Sequence, residues 1–330
     1  MHNNNKEITD KQYIYAVARI RSKELALFSK SDIEQLMSCS TEMDCLRFLA
    51  DKGWGSDGRH TTSEQLLVSE REKTWELLKE LVEDISVFNT FLYGNDYHNL
   101  KAAIKQVYRG TEAHNLYMSN CTLDPEVIIK AVTEHDFSLL PENMRAVAEE
   151  AYQIQLRIGD SQLCDIVLDK AALDSIYTSG KASKNELISQ YVELKVAAAN
   201  INIAIRSVKT NKDEEFLLRA LSECESLDIK KLIKCALEGM EAIYTFLATT
   251  VYFEGVPALM ESSQAFERWC DNLIIDYIRP QKYNPFTLSP LAAYLLAREN
   301  EIKTVRILLS GKRNDISDDI IRERLREMYV

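Results

Sequence analysis

Glycine and proline are both scarce, at 10 and 6 in 330 residues. So few turn formers and helix breakers exclude a chain of many short strands and point to long helices. Long apolar runs are missing too. The stretch Pro290–Ala297 falls far short of the roughly 20 residues that a membrane-crossing helix needs. No charged-then-apolar leader opens the chain, and Met1–Lys6 reads as a frayed polar tail. The seven cysteines (Cys39, Cys45, Cys121, Cys164, Cys224, Cys235, Cys270) include no C-x-x-C pair, so they read as reduced core residues rather than disulfides or zinc ligands. No two of the five histidines stand four residues apart. Neither a metal site nor a bound cofactor is expected.

Catalytic signatures are absent as well. Asp51-Lys-Gly-Trp-Gly-Ser-Asp-Gly58 is glycine-rich, but it follows a helix and lacks G-K-[ST], so it reads as a helix stop and turn. Gly180-Lys181-Ala-Ser183 has Ser175 where a phosphate loop needs its first glycine. Asp318-Asp319 resembles the start of an aspartate-rich metal motif, but Arg322 fills the third acidic place, and a capped first helical turn fits better. No Ser, Cys or Lys has a base at a recognisable spacing. Basic charge is also short: the net charge of −11 argues against nucleic acid and against an anionic lipid surface as partners. The segment Arg298–Val330 carries +1 and the rest −12, so the two parts are expected to face different partners.

What is present is helical pattern, nearly end to end. With 46% hydrophobic and 28% charged residues the chain suits amphipathic helices, and its length suits two or three subdomains. Tyr13–Phe28 and Thr62–Val87 read as helices, with a capping box at Ser31–Glu34 between them and an apolar stripe at Cys45, Leu46 and Leu49. Asp124-Pro125 and Pro141 open two more. Tyr191, Leu194, Ala198, Ile201, Ile205 and Val208 trace one face of a five-turn helix. Leu291, Leu295, Ile302, Val305 and Leu309 trace another, capped by Ser289-Pro290 and interrupted by Arg298. Ser317 is expected to cap a last helix running to Tyr329, with Ile321, Leu325 and Met328 on one side. With no period-2 run, the expected class is all-α.

One pattern recurs. Asn99, Asn200 and Asn300 stand 101 and 100 residues apart. Each is followed at five residues by an aliphatic (Ile104, Ile205, Val305), at six by a cation (Lys105, Arg206, Arg306), at eight by an aliphatic (Val107, Val208, Leu308), and at eleven by Gly110, Asn211 or Gly311. Gly and Asn tolerate the left-handed conformation that ends helices, and a cation near a helix C-terminus complements the macrodipole. The spacing therefore describes one helical module used three times, at 1–110, 111–211 and 212–330. Leu163-Cys-Asp165 and Trp269-Cys-Asp271 form a weaker echo. Asparagine is disfavoured inside helices, so the three are expected to make side-chain contacts between modules. The candidate packing or partner-contact residues are Asn99, Lys105, Asn200, Arg206, Asn300, Arg306, Arg322 and Arg326.

Asp96-Tyr-His-Asn-Leu-Lys-Ala-Ala-Ile104, the opening Tyr13-Ile-Tyr-Ala-Val-Ala-Arg19, and Glu299-Asn-Glu-Ile-Lys-Thr-Val-Arg306 followed by Gly311-Lys312 resemble the C subunit of the bacterial and archaeal V/A-type ATPase. That family is similar to the d subunit of the eukaryotic vacuolar enzyme. The resemblance covers essentially the whole chain. Its middle module departs most: Val196-Ala-Ala-Ala-Asn-Ile201 lacks the acid that precedes Asn99 as Asp96. The resemblance implies a funnel-shaped, threefold pseudosymmetric cup without an active site, peripheral on the cytoplasmic face of the membrane and without its own lipid anchor. As a central-stalk socket its partners would be the shaft subunits of the catalytic head and the membrane proteolipid ring. A generic helical-repeat scaffold and an all-α enzyme with an unrecognised pocket are the alternatives from other classes.

Overall fold

The computed structural model describes residues 13–55, 62–110 and 116–330. The Met1–Lys6 tail and the Ser56–Gly58 end of the glycine-rich loop lie outside the described residues. Among those described there is no strand, and the class is all-α. None of the helices is long and apolar enough to cross a membrane. The chain divides into two compact units. One comprises residues 1–85, 185–187 and 257–330, and the other residues 86–184 and 188–256.

The first unit is built around the helix Ser289–Arg313, in which every residue from Ser289 to Arg298 is buried. A helix that is apolar nearly all round has to be a core element. Ser63–Leu81, Ile14–Glu24, Glu42–Asp51 and Ser263–Ile278 pack against it. Ile302, Val305, Leu308 and Leu309 join Phe28, Leu36, Cys45, Leu49 and Trp54 in one apolar cluster. The helix is longer than its repeat pattern implies. The repeat puts its end at Gly311, but the left-handed residue is Asp315 (φ 52°), and Ile316 N–H closes onto the Gly311 carbonyl at 3.0 Å. Gly311 serves a close approach instead: a Cβ there would collide with the Ile321 side chain.

Other helix ends in this unit move for equally local reasons. The first helix stops at Glu24, and the Phe28 N–H goes to the Glu301 carboxylate at 2.5 Å. The capping box is Ser29/Asp32 rather than Ser31/Glu34; Asp32 accepts the Ser29 N–H at 2.9 Å while Glu34 pairs with Arg322. Ser63–Leu81, capped by Thr62, ends where Val82 turns extended. Ser289 lies inside the first turn and does not cap it; its hydroxyl is 3.0 Å from Asn185.

In the second unit, Tyr93–Arg109 packs on Pro125–Thr133 and Ser161–Ala182. Tyr97, Leu100, Ile104, Ile128, Met144, Ala148, Cys164 and Leu168 are the centre of its core. Asp124 caps its helix by accepting Glu126 N–H, with Pro125 following, and Pro141 precedes Glu142–Gln153, both as the sequence indicates. The helix Glu186–Lys209 carries the five-turn stripe, with Leu194, Ile201 and Ile205 buried. Gly110 (φ 64°) and Asn211 (φ 49°) adopt the left-handed conformation that the repeat assigns them. Gly180 sits within the helix Ser161–Ala182, where a Cβ would run into the Val192 side chain. Its place beside Lys181 is therefore a packing feature.

Gly180→Ala should destabilise the protein by roughly 1–3 kcal/mol through overpacking. Val192→Ala in the same chain should recover part of that loss, because it removes the obstructing methyls. Chemical denaturation of the two single variants and the double variant checks this.

Candidate functional site

Each repeated asparagine is buried within a long helix and turns its amide onto a non-helical stretch further along the chain. Asn99 donates Nδ2–H to the Met118 carbonyl at 3.0 Å and accepts the Met118 N–H on Oδ1 at 2.8 Å. Asn200 does the same with Ser222, donating to its carbonyl at 2.7 Å and accepting its N–H at 3.0 Å. Asn300 donates to the Glu327 carbonyl at 2.8 Å. A primary amide presents a donor and an acceptor side by side, as a peptide does, so it can satisfy both polar groups of one residue. Buried backbone without helix or sheet partners requires such satisfaction.

An acid on the same helix makes a second hold four residues further on. Asp96 accepts from Thr122 N–H (2.8 Å), Thr122 Oγ1–H (2.6 Å) and Leu123 N–H (3.3 Å). Glu193 accepts from Ser226 N–H at 2.8 Å and Ser226 Oγ–H at 2.7 Å. The acid missing ahead of Asn200 is thus supplied by Glu193. It lies seven residues before its asparagine where Asp96 lies three before, and both offsets fall on the same helix face. Comparing identical offsets alone misses it.

The two carboxylates differ electrostatically. Burial raises the pKa of Asp96 and outweighs the bonds from Thr122 and Leu123. For Glu193 burial acts in the same sense, but the bonds from Ser226, Lys181 and Tyr177 together overcome it and lower the pKa. Lys181 bridges Glu193 (3.1 Å) and Glu225 (2.9 Å), and burial with the bond to Glu193 pushes Tyr177 up to about 12.

The repeat cations diverge. Lys105 pairs with Asp165 at 2.5 Å and Arg306 with Glu64 at 3.2 Å. Arg206 is exposed, has no carboxylate partner among the described residues, and borders a cavity of about 260 Å³ with Asp165, Asp169 and Lys212. Arg322 pairs with Glu34 at 2.5 Å. Arg326 is buried against Asp271 (2.8 Å) and Glu267 (3.3 Å). Asp271 also holds Lys303 at 2.7 Å, so the Leu163–Asp165 and Trp269–Asp271 echo does not make one repeated contact.

The last helix is shorter than expected, running only from Asp318 to Arg322. Beyond it, Asn300 takes the Glu327 carbonyl, Asn272 accepts the Glu327 N–H at 2.9 Å, and Arg279 donates to the Met328 carbonyl at 3.1 Å. With these groups held by side chains, the apolar spacing of Ile321, Leu325 and Met328 does not become a helix.

Arg298, read as an interruption, is instead the centre of a buried ion cluster. It pairs with Glu70 at 2.8 Å and with Glu301, and its guanidinium lies 5.0 Å from the centre of the Trp54 ring. Burial opposes its charge, but Glu301, Tyr294 and Glu70 outweigh that and raise its pKa; burial raises that of Glu301. Arg19, Lys23, Lys52 and Lys73 line a polar cavity of about 400 Å³ beside it. Among the described residues no three His, Cys, Asp or Glu are placed to hold a metal ion.

The conspicuous polar groups of this helical protein therefore grip its own backbone or one another. Residues 16–324 match the family model described as ATP synthase (C/AC39) subunit, and the chain belongs to that family of V/A-type ATPase subunits. It is 25% identical to the C subunit of the V-type sodium ATPase of Enterococcus hirae, over 94% of this chain and 97% of that one. It is 23% identical to the C subunit of the A-type ATP synthase of Methanocaldococcus jannaschii (95% of this chain, 86% of that one) and 20% identical to its counterpart in Thermococcus kodakarensis (96% and 91%).

Asn200→Leu should leave two polar groups of Ser222 unpaired and destabilise the protein by roughly 1–3 kcal/mol for each, measured by denaturant titration. The acids should respond oppositely to pH. The Glu193 pKa is depressed, so its contribution is present above pH 4.5 and is lost as pH falls through the folded value. The Asp96 pKa is raised, so its carboxyl favours the folded state more as pH falls toward 3.8. On acidification the stability advantage of the wild type should shrink over Glu193→Gln and grow over Asp96→Asn.

Proposed function

We propose that this chain is the non-catalytic central-stalk socket of a V/A-type rotary ATPase, joining the rotating shaft of the catalytic head to the membrane proteolipid ring. The observation that carries this reading is the family match across residues 16–324, with relatives aligned over nearly their whole lengths. The job is mechanical. A torque coupler must resist bending, and long packed helices with irregular segments pinned at defined points suit that requirement. Attachment to the membrane runs through the ring, because the acidic chain would be repelled by anionic lipid. The place of work is the cytoplasmic face, and ATP is made or hydrolysed on other subunits.

The three-module organisation, 1–110, 111–211 and 212–330, is part of this proposal. Its support is the repeated clamp. The Asn99–Met118 and Asn200–Ser222 bonds cross the boundaries after 110 and 211, so the first two asparagine helices grip the opening of the next module, while Asn300 holds Glu327 within the third. Among the candidate residues, Arg206 is the one proposed to meet a partner, since it is exposed and pairs with no carboxylate among the described residues, although Asp165 and Asp169 border the same cavity. Lys105, Arg306, Arg322 and Arg326 are engaged within the chain.

The chain should co-purify in one copy with the detergent-solubilised ring and the shaft subunits, and its removal should uncouple ATP hydrolysis from ion pumping. The purified chain should not bind bare anionic liposomes. Recovery of the chain alone, bound to neither ring nor shaft, would overturn the assignment. Arg206→Gln should weaken the association while leaving the melting temperature of the isolated subunit nearly unchanged.

A further inference from the structure

Two thiols meet at the end of a helical hairpin. Cys39 lies in the turn between Lys30–Met37 and Glu42–Asp51, and Cys45 lies in the second of these helices, fully buried. Their sulfurs donate to neighbouring carbonyls of one helical turn, Cys39 to Gln35 and Cys45 to Leu36, each at 3.7 Å. The two acceptor carbonyls belong to consecutive residues, so both sulfurs sit at the same end of the helix Lys30–Met37. Cys39 is half-buried and open to a small reagent; both thiols are free.

We propose that Cys39 and Cys45 form an oxidisable pair that closes to a disulfide across the hairpin turn. The Cys39 thiolate attacks a small-molecule disulfide such as oxidised glutathione, giving a mixed disulfide and releasing one glutathione thiolate. Cys45 loses its proton to solvent and attacks the Cys39 sulfur, expelling the second glutathione thiolate. The protein loses two thiol hydrogens, and one glutathione disulfide becomes two thiols.

The order of attack follows from burial. Cys39 is the thiol a reagent can reach, and Cys45 is shielded by Phe28, Leu36 and Leu49 in the core cluster. Burial pushes the Cys45 thiol up to about 12, so closure is the slow step and accelerates with rising pH. The bond would staple the hairpin whose first helix is already tied to the long core helix by Lys312, which donates to the Met37 carbonyl at 2.8 Å. Such a staple restricts the unfolded chain and raises thermal stability.

The full-length protein would be equilibrated with glutathione redox buffers, quenched by alkylation and digested with trypsin. Both cysteines fall on one peptide, residues 31–47, since Lys30 and Arg47 flank them with no basic residue between. The expected product is this peptide without alkyl groups and about 2 Da lighter, forming faster at pH 9 than at pH 7, with the oxidised protein melting several degrees higher. Cys45→Ser should trap glutathione on Cys39, and Cys39→Ser should abolish both products. The proposal is overturned if peptide 31–47 remains doubly alkylated, or carries only a persistent mixed disulfide, under conditions that oxidise the half-buried Cys121, or if either cysteine joins a different partner.

Discussion

Three irregular segments among the described residues depend on helical asparagine side chains acting as surrogate peptides. Long helices satisfy their own backbones, but the stretches between them have no sheet to join. A buried asparagine supplies what is missing, a donor and an acceptor held together in the geometry of a main-chain amide. Leucine would pack as well but would orphan both groups, and aspartate could only accept. Helix propensity disfavours asparagine by well under roughly 1 kcal/mol, whereas leaving one buried backbone group unpaired costs about 1–3 kcal/mol. The residue is in a locally poor place because the tertiary contact is worth more.

The ion cluster around Arg298 applies the same logic to a turn. Glu301 takes the Phe28 N–H, and that bond fixes where the chain goes after the first helix. A buried ion pair seldom stabilises a fold beyond what apolar residues of similar volume would achieve, since desolvation offsets most of the attraction. Its value is positional. Arg298 reaches Glu70 on one helix and Glu301 on its own while lying over Trp54, which stacks on Phe28. Replacing the cluster by leucines would keep the volume and lose the instruction about where Phe28 sits.

The helical class, the helix starts at Thr62, Asp124 and Pro141, and the three asparagines were legible because each rests on local rules: periodicity, capping and recurrence. What the asparagines hold was not. Their partners lie 19, 22 and 27 residues downstream, so no fixed offset reveals them. Glu193 was hidden by a shift of about one turn, although a search by helix face rather than by offset would find it. Arg298 looked like an interruption because an apolar stripe has no place for charge, and its acids are 228 residues away and three residues on. The C-terminal segment has amphipathic spacing, and tertiary hydrogen bonds from Asn272, Arg279 and Asn300 override it. For the asparagines and the C-terminal segment, a polar contact with a distant part of the chain decided what a local rule could not.

That pattern bears on the mechanical role proposed here. Apolar packing alone resists compression but tolerates sliding, because dispersion has no preferred register. Directional hydrogen bonds do not tolerate it. Two irregular segments of the second unit are each pinned twice, at residues four apart: Met118 and Thr122 in one, Ser222 and Ser226 in the other. Two fixed points remove rotation of the segment as well as translation. A protein that transmits torque has to suppress these soft modes, since any slippage absorbs work before it reaches the partner. The clamps place that resistance in the connections between helices, where a helical protein is otherwise weakest.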